Sequence, residues 1–137
     1  MKKYLLTGLC ALSLPAFGQD ALTVDWTWMV RHKCSVDSPA LTVSGIPAGT
    51  AQLKVRMSDL DRMHIDHGGG EVAHDGAATA TLAEGTLENY KGPCPPNFYS
   101  FGHDYQFTVE AIAADGGTVL ARGNRTQTFS ARTAKKD

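Results

Sequence analysis

The sequence lacks most of the features that would commit it to a specialised class. Its 137 residues set 13 Lys and Arg against 14 Asp and Glu, a formal net charge of −1, so the positive field that nucleic-acid binding requires is missing. Only three cysteines occur, none spaced as CxxC, which leaves redox catalysis without support. No Ser lies in a GxSxG elbow and no HExxH is present, so the usual signatures of a hydrolase or zinc protease are absent. Asp59 and Asp61 sit two apart, which places two carboxylates on one face of an extended chain without fixing separate acid and base roles. The reading is a protein that is not an enzyme and needs no cofactor. Helical periodicity, internal repeats and linkers are missing too, and 42% hydrophobic with 20% charged residues excludes disorder, collagen and coiled coil.

What is present begins with an address. Lys2 and Lys3 precede an apolar run over residues 4–14, followed by Pro15-Ala16-Phe17-Gly18. A positive start, an apolar middle and small residues at Ala16 and Gly18 predict a signal peptide over 1–18, cleaved after Gly18. The run is too short for a permanent membrane helix, and Leu9 before Cys10 is too bulky for a lipoprotein site. The expected product is a periplasmic or secreted domain of residues 19–137 without a stable membrane anchor. Cys10 leaves with the leader, so Cys34 and Cys94 remain as an even pair in an oxidising compartment, read as a structural disulfide.

Period-two alternation dominates the rest. Leu22, Val24, Trp26, Trp28 and Val30 share one strand face, and the two tryptophans are read as core. Residues 41–43 form a second short strand. Leu53, Val55 and Met57 alternate into the core of a third, with Asp59 at its exit. Residues 59–76, including Gly68-Gly69-Gly70, show little pattern and read as a polar loop. Residues 77–82 suit an edge strand, and 85–103, with three of the six prolines, an ordered loop. Tyr105, Phe107, Val109 and Ala111 mark the clearest strand. Asp115-Gly116-Gly117 is a hairpin turn into 118–121. Residues 126–130 read as a last strand and 131–137 as a frayed tail. The predicted class is all-β, a mostly antiparallel sandwich with few or no helices. His32 and Lys33 are expected at the surface, and His74 is assigned no role.

Polar groups gather in two places: Asp59, Asp61, His64, Asp66 and His67 in one loop, and His103 with Tyr105 at the mouth of a strand. Carboxylates beside imidazoles suit an anion when the rings are protonated and a metal when they are neutral. Solvated loop residues without a ligand are the plain alternative.

The order of Ser38-Pro39-Ala40-Leu41, Ser44-Gly45-Ile46-Pro47-Ala48-Gly49-Thr50, Asp59-Leu60-Asp61, His67, Tyr90-Lys91-Gly92-Pro93-Cys94-Pro95-Pro96 and His103-Asp104-Tyr105 resembles the phosphatidylethanolamine-binding protein family, in its exported bacterial Raf-kinase-inhibitor-like branch. The resemblance covers residues 38–113. It implies a β fold with a small pocket for phosphate, phosphoryl head groups or similar anions. Asp59 and Asp61 match the family's pocket acids, while Leu60, Arg62 and Met63 depart from its pattern. His67 matches the His of a His-Trp pair, with Gly68 in place of Trp, and His64 is its competitor for the pocket. His103 and Tyr105 match a His-Arg-Tyr motif in which Asp104 replaces Arg. After Asp115 the resemblance ends, without the family's C-terminal helix.

On this reading His67 and His103 offer N–H donors to an anion, Tyr105 offers its hydroxyl, and Asp59 or Asp61 orients an imidazole. Gly92 and Pro93, with Pro95 and Pro96, stiffen the loop, and Gly92 lets the backbone approach the ligand. The expected partner is a small anionic or phosphoryl-bearing ligand. Two rivals stand beside it: a copper- or zinc-binding protein using Met63, His64, His67 and His103, and a structural or adhesion module without a ligand.

Overall fold

Buried and exposed side chains alternate along nearly every extended segment of this chain, and two antiparallel sheets result. The computed structural model describes residues 22–137; the expected signal peptide 1–18, with Cys10, lies outside them. The strands are β1 (Thr23–Trp26), β2 (Leu41–Ser44), β3 (Thr50–Asp59), β4 (Asp66–Ala73), β5 (Thr79–Leu82), β6 (His103–Ala113) and β7 (Val119–Phe129). One sheet has the order β1-β2-β5 and the other β4-β3-β6-β7. Among the described residues the only helical turn is a three-residue 3-10 turn, Val30–His32, so the fold is all-β. No helix among them is long and apolar enough to cross a membrane.

The inward faces meet in one core. Trp26 and Leu41 from the first sheet join Leu53, Val55, Met57, Phe107 and Val109 from the second. Trp26 packs edge-on against Phe107 with ring centroids 4.9 Å apart, and Trp28 lies tilted against Phe129 at 5.0 Å. Aromatic contacts at such centroid distances each add about 0.5–1.5 kcal/mol beyond burial. Cys34 and Cys94 form a disulfide.

Four expectations change. Residues 66–73 are a strand rather than loop: Gly69 and Gly70 pair with Arg56 and Val55 of β3. Glycine has no side chain to alternate, so a strand carrying three of them shows no period two. Strand β7 runs unbroken from 119 to 129, because Gly123 lets the chain pass Leu22, whose carbonyl oxygen would lie 2.1 Å from an added Cβ. The 131–137 tail is docked: Lys135 donates to the Trp28 carbonyl at 2.8 Å, Val30 donates back to Lys135 at 2.9 Å, and Arg31 pairs with Asp137 at 2.8 Å. This ends β1's alternation and turns Val30 outward.

His32 is the fourth. It is buried, with Nδ1 accepting from the Met29 N–H at 3.0 Å and Nε2 3.5 Å from Glu84 Oε1. Burial lowers its pKa below the usual imidazole value, against the pull of Glu84. The folded chain then holds this proton less readily than the unfolded one, so stability is complete above about pH 6.5 and falls as pH drops through that value. Urea titrations from pH 8 to pH 5 are expected to show a steeper decline in the wild type than in His32→Gln, which keeps an acceptor for Met29 but does not titrate. Equal slopes would assign the acid sensitivity elsewhere.

Candidate functional site

Strand β3 lies between β4 and β6, and antiparallel pairing brings its last residue beside the first residues of both neighbours. Along β3 the inward side runs Leu53, Val55, Met57, Asp59; along β6 it runs His103, Tyr105, Phe107, Val109. Asp59 and His103 therefore continue the core rows to the end of the sandwich. The register shifts where Arg56 pairs with Gly69 but Ser58 pairs with Asp66, so His67 and Gly68 together face Met57. This β-bulge, with Gly68 at φ +63°, turns His67 inward; bulges commonly re-aim a side chain in this way.

Asp59 is the centre. Its Oδ1 accepts from the backbone N–H groups of Asp61 (2.9 Å) and Arg62 (3.0 Å), an Asx-type turn that fixes the carboxylate. Its Oδ2 accepts from His103 Nδ1 at 2.8 Å and lies 3.9 Å from His67 Nε2. His67 Nδ1 lies 2.8 Å from the Lys91 carbonyl oxygen. A carbonyl only accepts, so Nδ1 carries the hydrogen and Nε2 is the nitrogen left for other work. That Nε2 is buried and has no hydrogen-bond partner. Asp61, exposed at the rim, accepts from the Asp104 N–H at 2.7 Å through Oδ2. One carboxylate oxygen each from Asp59 and Asp61 and one ring nitrogen of His103 lie within 4.8 Å of one another.

Tyr105 is the floor. It is wholly buried, with the His67 ring edge-on at 5.4 Å and the His103 ring nearly parallel at 6.2 Å. Burial first, and then the Asp59 charge, raise its hydroxyl well above the usual phenol range, so it stays protonated and can donate.

Five of the expected residues thus assemble: Asp59, Asp61, His67, His103 and Tyr105. Gly92 and Pro93 stand behind the site. Gly92 donates to the Ser35 carbonyl at 2.7 Å, and a Cβ there would lie 2.3 Å from that oxygen, so its close approach is to the protein's own chain rather than to a ligand. Pro93 accepts from the Cys34 N–H at 2.8 Å. Between the two candidate imidazoles of residues 64 and 67, His67 is the buried one; His64 and Met63 are exposed in the 60–65 turn. Asp104 points to the outer face, where it accepts from Thr128 Oγ1 at 2.5 Å, so its charge does not enter the row. Sequence reasoning missed the Lys91 carbonyl, since a backbone acceptor leaves no mark in side-chain chemistry.

A separate open groove crosses the outer face of β3 and β4, lined by Lys54, Arg56, Asp66, Glu71 and Asn89. Its mixed charges belong to the solvated side of the sheet. Set against family models, curated proteins and solved structures, the chain matches none of them.

Proposed function

We propose that the protein is an exported, non-catalytic binding protein of the phosphatidylethanolamine-binding type, taking phosphate or a phosphoryl head group at the end of the sandwich. One observation carries this reading: each imidazole has Nδ1 committed to a protein acceptor, Lys91 for His67 and Asp59 for His103. A protonated ring then has its Nε2–H left for an anion's oxygen. Charge-assisted bonds of this kind contribute about 1.5–3 kcal/mol each. Asp59 holds the His103 ring through its Nδ1–H, and Tyr105 gives both rings a rigid floor. The exposed Leu60, Met63 and Ile65 in the adjoining turn, with Tyr99 and Phe101 just before His103, suit a head group that carries an organic substituent. The Cys34–Cys94 bridge agrees with an oxidising compartment.

The test is a melting experiment in metal-free buffer with phosphate and phosphoethanolamine. A ligand that binds only the folded state stabilises it by about 2.7 kcal/mol at a hundredfold excess over Kd. The wild type is expected to melt several degrees higher with ligand, and His103→Ala to lose that gain. No gain with either ligand, or an equal gain in His103→Ala, would overturn the proposal.

A further inference from the structure

We further propose that Asp59, Asp61, His67 and His103 hold one divalent transition-metal ion of the zinc type. This goes beyond the anion reading and does not rest on it: the anion needs protonated rings, the cation neutral ones.

Two carboxylates near a histidine would not by themselves make a site. The independent observation is His67. Its side chain is only 6% exposed, its Nε2 has no hydrogen-bond partner, and that atom faces Asp59 Oδ2 across 3.9 Å. Because Nδ1 donates to the Lys91 carbonyl, the neutral ring presents an Nε2 lone pair to a carboxylate oxygen. Two electron-rich atoms buried face to face gain nothing from each other. The spacing is instead that of two ligands on a shared ion, since atoms each about 2.0–2.2 Å from zinc lie about 3–4 Å apart. The third and fourth donors come from Asp61 and His103, clustered with Asp59 within 4.8 Å; on binding, the ion takes the place of the hydrogen that His103 Nδ1 shares with Asp59 Oδ2, and the neutral ring carries its hydrogen on Nε2 instead.

The surroundings have the form that metal centres need. Histidines that bind metals commonly donate their other ring N–H to a carbonyl or carboxylate, as His67 does to Lys91. Both carboxylates are steadied through one oxygen, Asp59 by the N–H groups of Asp61 and Arg62 and Asp61 by that of Asp104. Two nitrogens and two oxygens without a thiolate favour zinc over Cu(I). The exposed Asp61 at the rim provides the way in.

The experiment is calorimetric titration of chelator-treated, dialysed protein with zinc chloride at pH 7.5 in a buffer free of phosphate. One ion per chain is expected to bind, with Kd in the micromolar range or tighter. His67→Ala and Asp61→Asn are each expected to weaken it about 10–100-fold, while His64→Ala and His74→Ala leave it unchanged. Asp61 is exposed, so Asp61→Asn tests the site even where His67→Ala disturbs packing; circular dichroism with chelator present checks that each variant folds. Absence of binding below about 1 mM would overturn the proposal, as would zinc binding that survives both His67→Ala and Asp61→Asn. The phosphate melting experiment runs in chelator, so failure of one reading is separable from failure of the other.

Discussion

Replacing Cys34 and Cys94 together with serine is expected to destabilise the domain by about 4 kcal/mol. The bridge joins residues 60 apart, and chain entropy for a loop of that length gives about 4 kcal/mol at 25 °C. Domains of this size have only about 5–15 kcal/mol in total, so the variant should unfold at a far lower urea concentration. Wild type treated with reductant should fall by a similar amount. A loss below about 1 kcal/mol in both would mean that the unbridged chain is already restrained. The effect should also reach the site. Cys94 belongs to the loop whose Lys91 orients His67, and Cys34 donates its N–H to Pro93 in that loop.

Gly68→Ala should be comparably damaging, at about 2–5 kcal/mol. The residue has φ +63°, and a Cβ there would lie 1.8 Å from the Asn89 carbonyl oxygen. A left-handed backbone alone costs a residue with a side chain about 1–2 kcal/mol, and forced overpacking adds about 1–3 kcal/mol. Gly76→Ala separates the two contributions: Gly76 has φ +87° but nothing within 4 Å of an added Cβ, so only the smaller cost applies. Urea midpoints of both variants check this. Equal losses would show that the contact with Asn89 yields easily. The same contact explains why tryptophan, which the family resemblance would place at 68, has no room beside Asn89. The bulge that aims His67 requires glycine, and the loop has closed over the space.

The sequence revealed the sheets where side chains alternate and hid them where they do not. Leu53-Val55-Met57 and Tyr105-Phe107-Val109 announce β3 and β6 because each second residue is large and buried. Strand β4 was illegible, since its pairing runs through glycine backbone. His32 reads as a surface group beside Arg31 and Lys33, yet a tail more than a hundred residues away docks next to it. The tail bonds residues 28–31 through Lys135 and Asp137, and the rings of Trp28 and the carboxylate of Glu84 lie against the imidazole. At the site, Asp59, His67 and His103 were visible as chemistry, but their meeting depends on which strands are neighbours. Single residues do not encode that. The tie from His67 to Lys91 was out of reach for the same reason, because any residue at 91 would offer that carbonyl.

The inward row along β3 passes from Leu53 to Asp59 without a break, so the greasy interior and the proposed ligand seat are one continuous wall. Tyr90 donates its hydroxyl to Met57 Sδ at 3.6 Å, and Met57 stands opposite the His67 bulge. Repacking near Met57 would thus be transmitted to an imidazole it never touches chemically. Affinity at the proposed seat should drift with the shape of the hydrophobic filling, and evolution could retune that seat from behind while leaving every polar group in place.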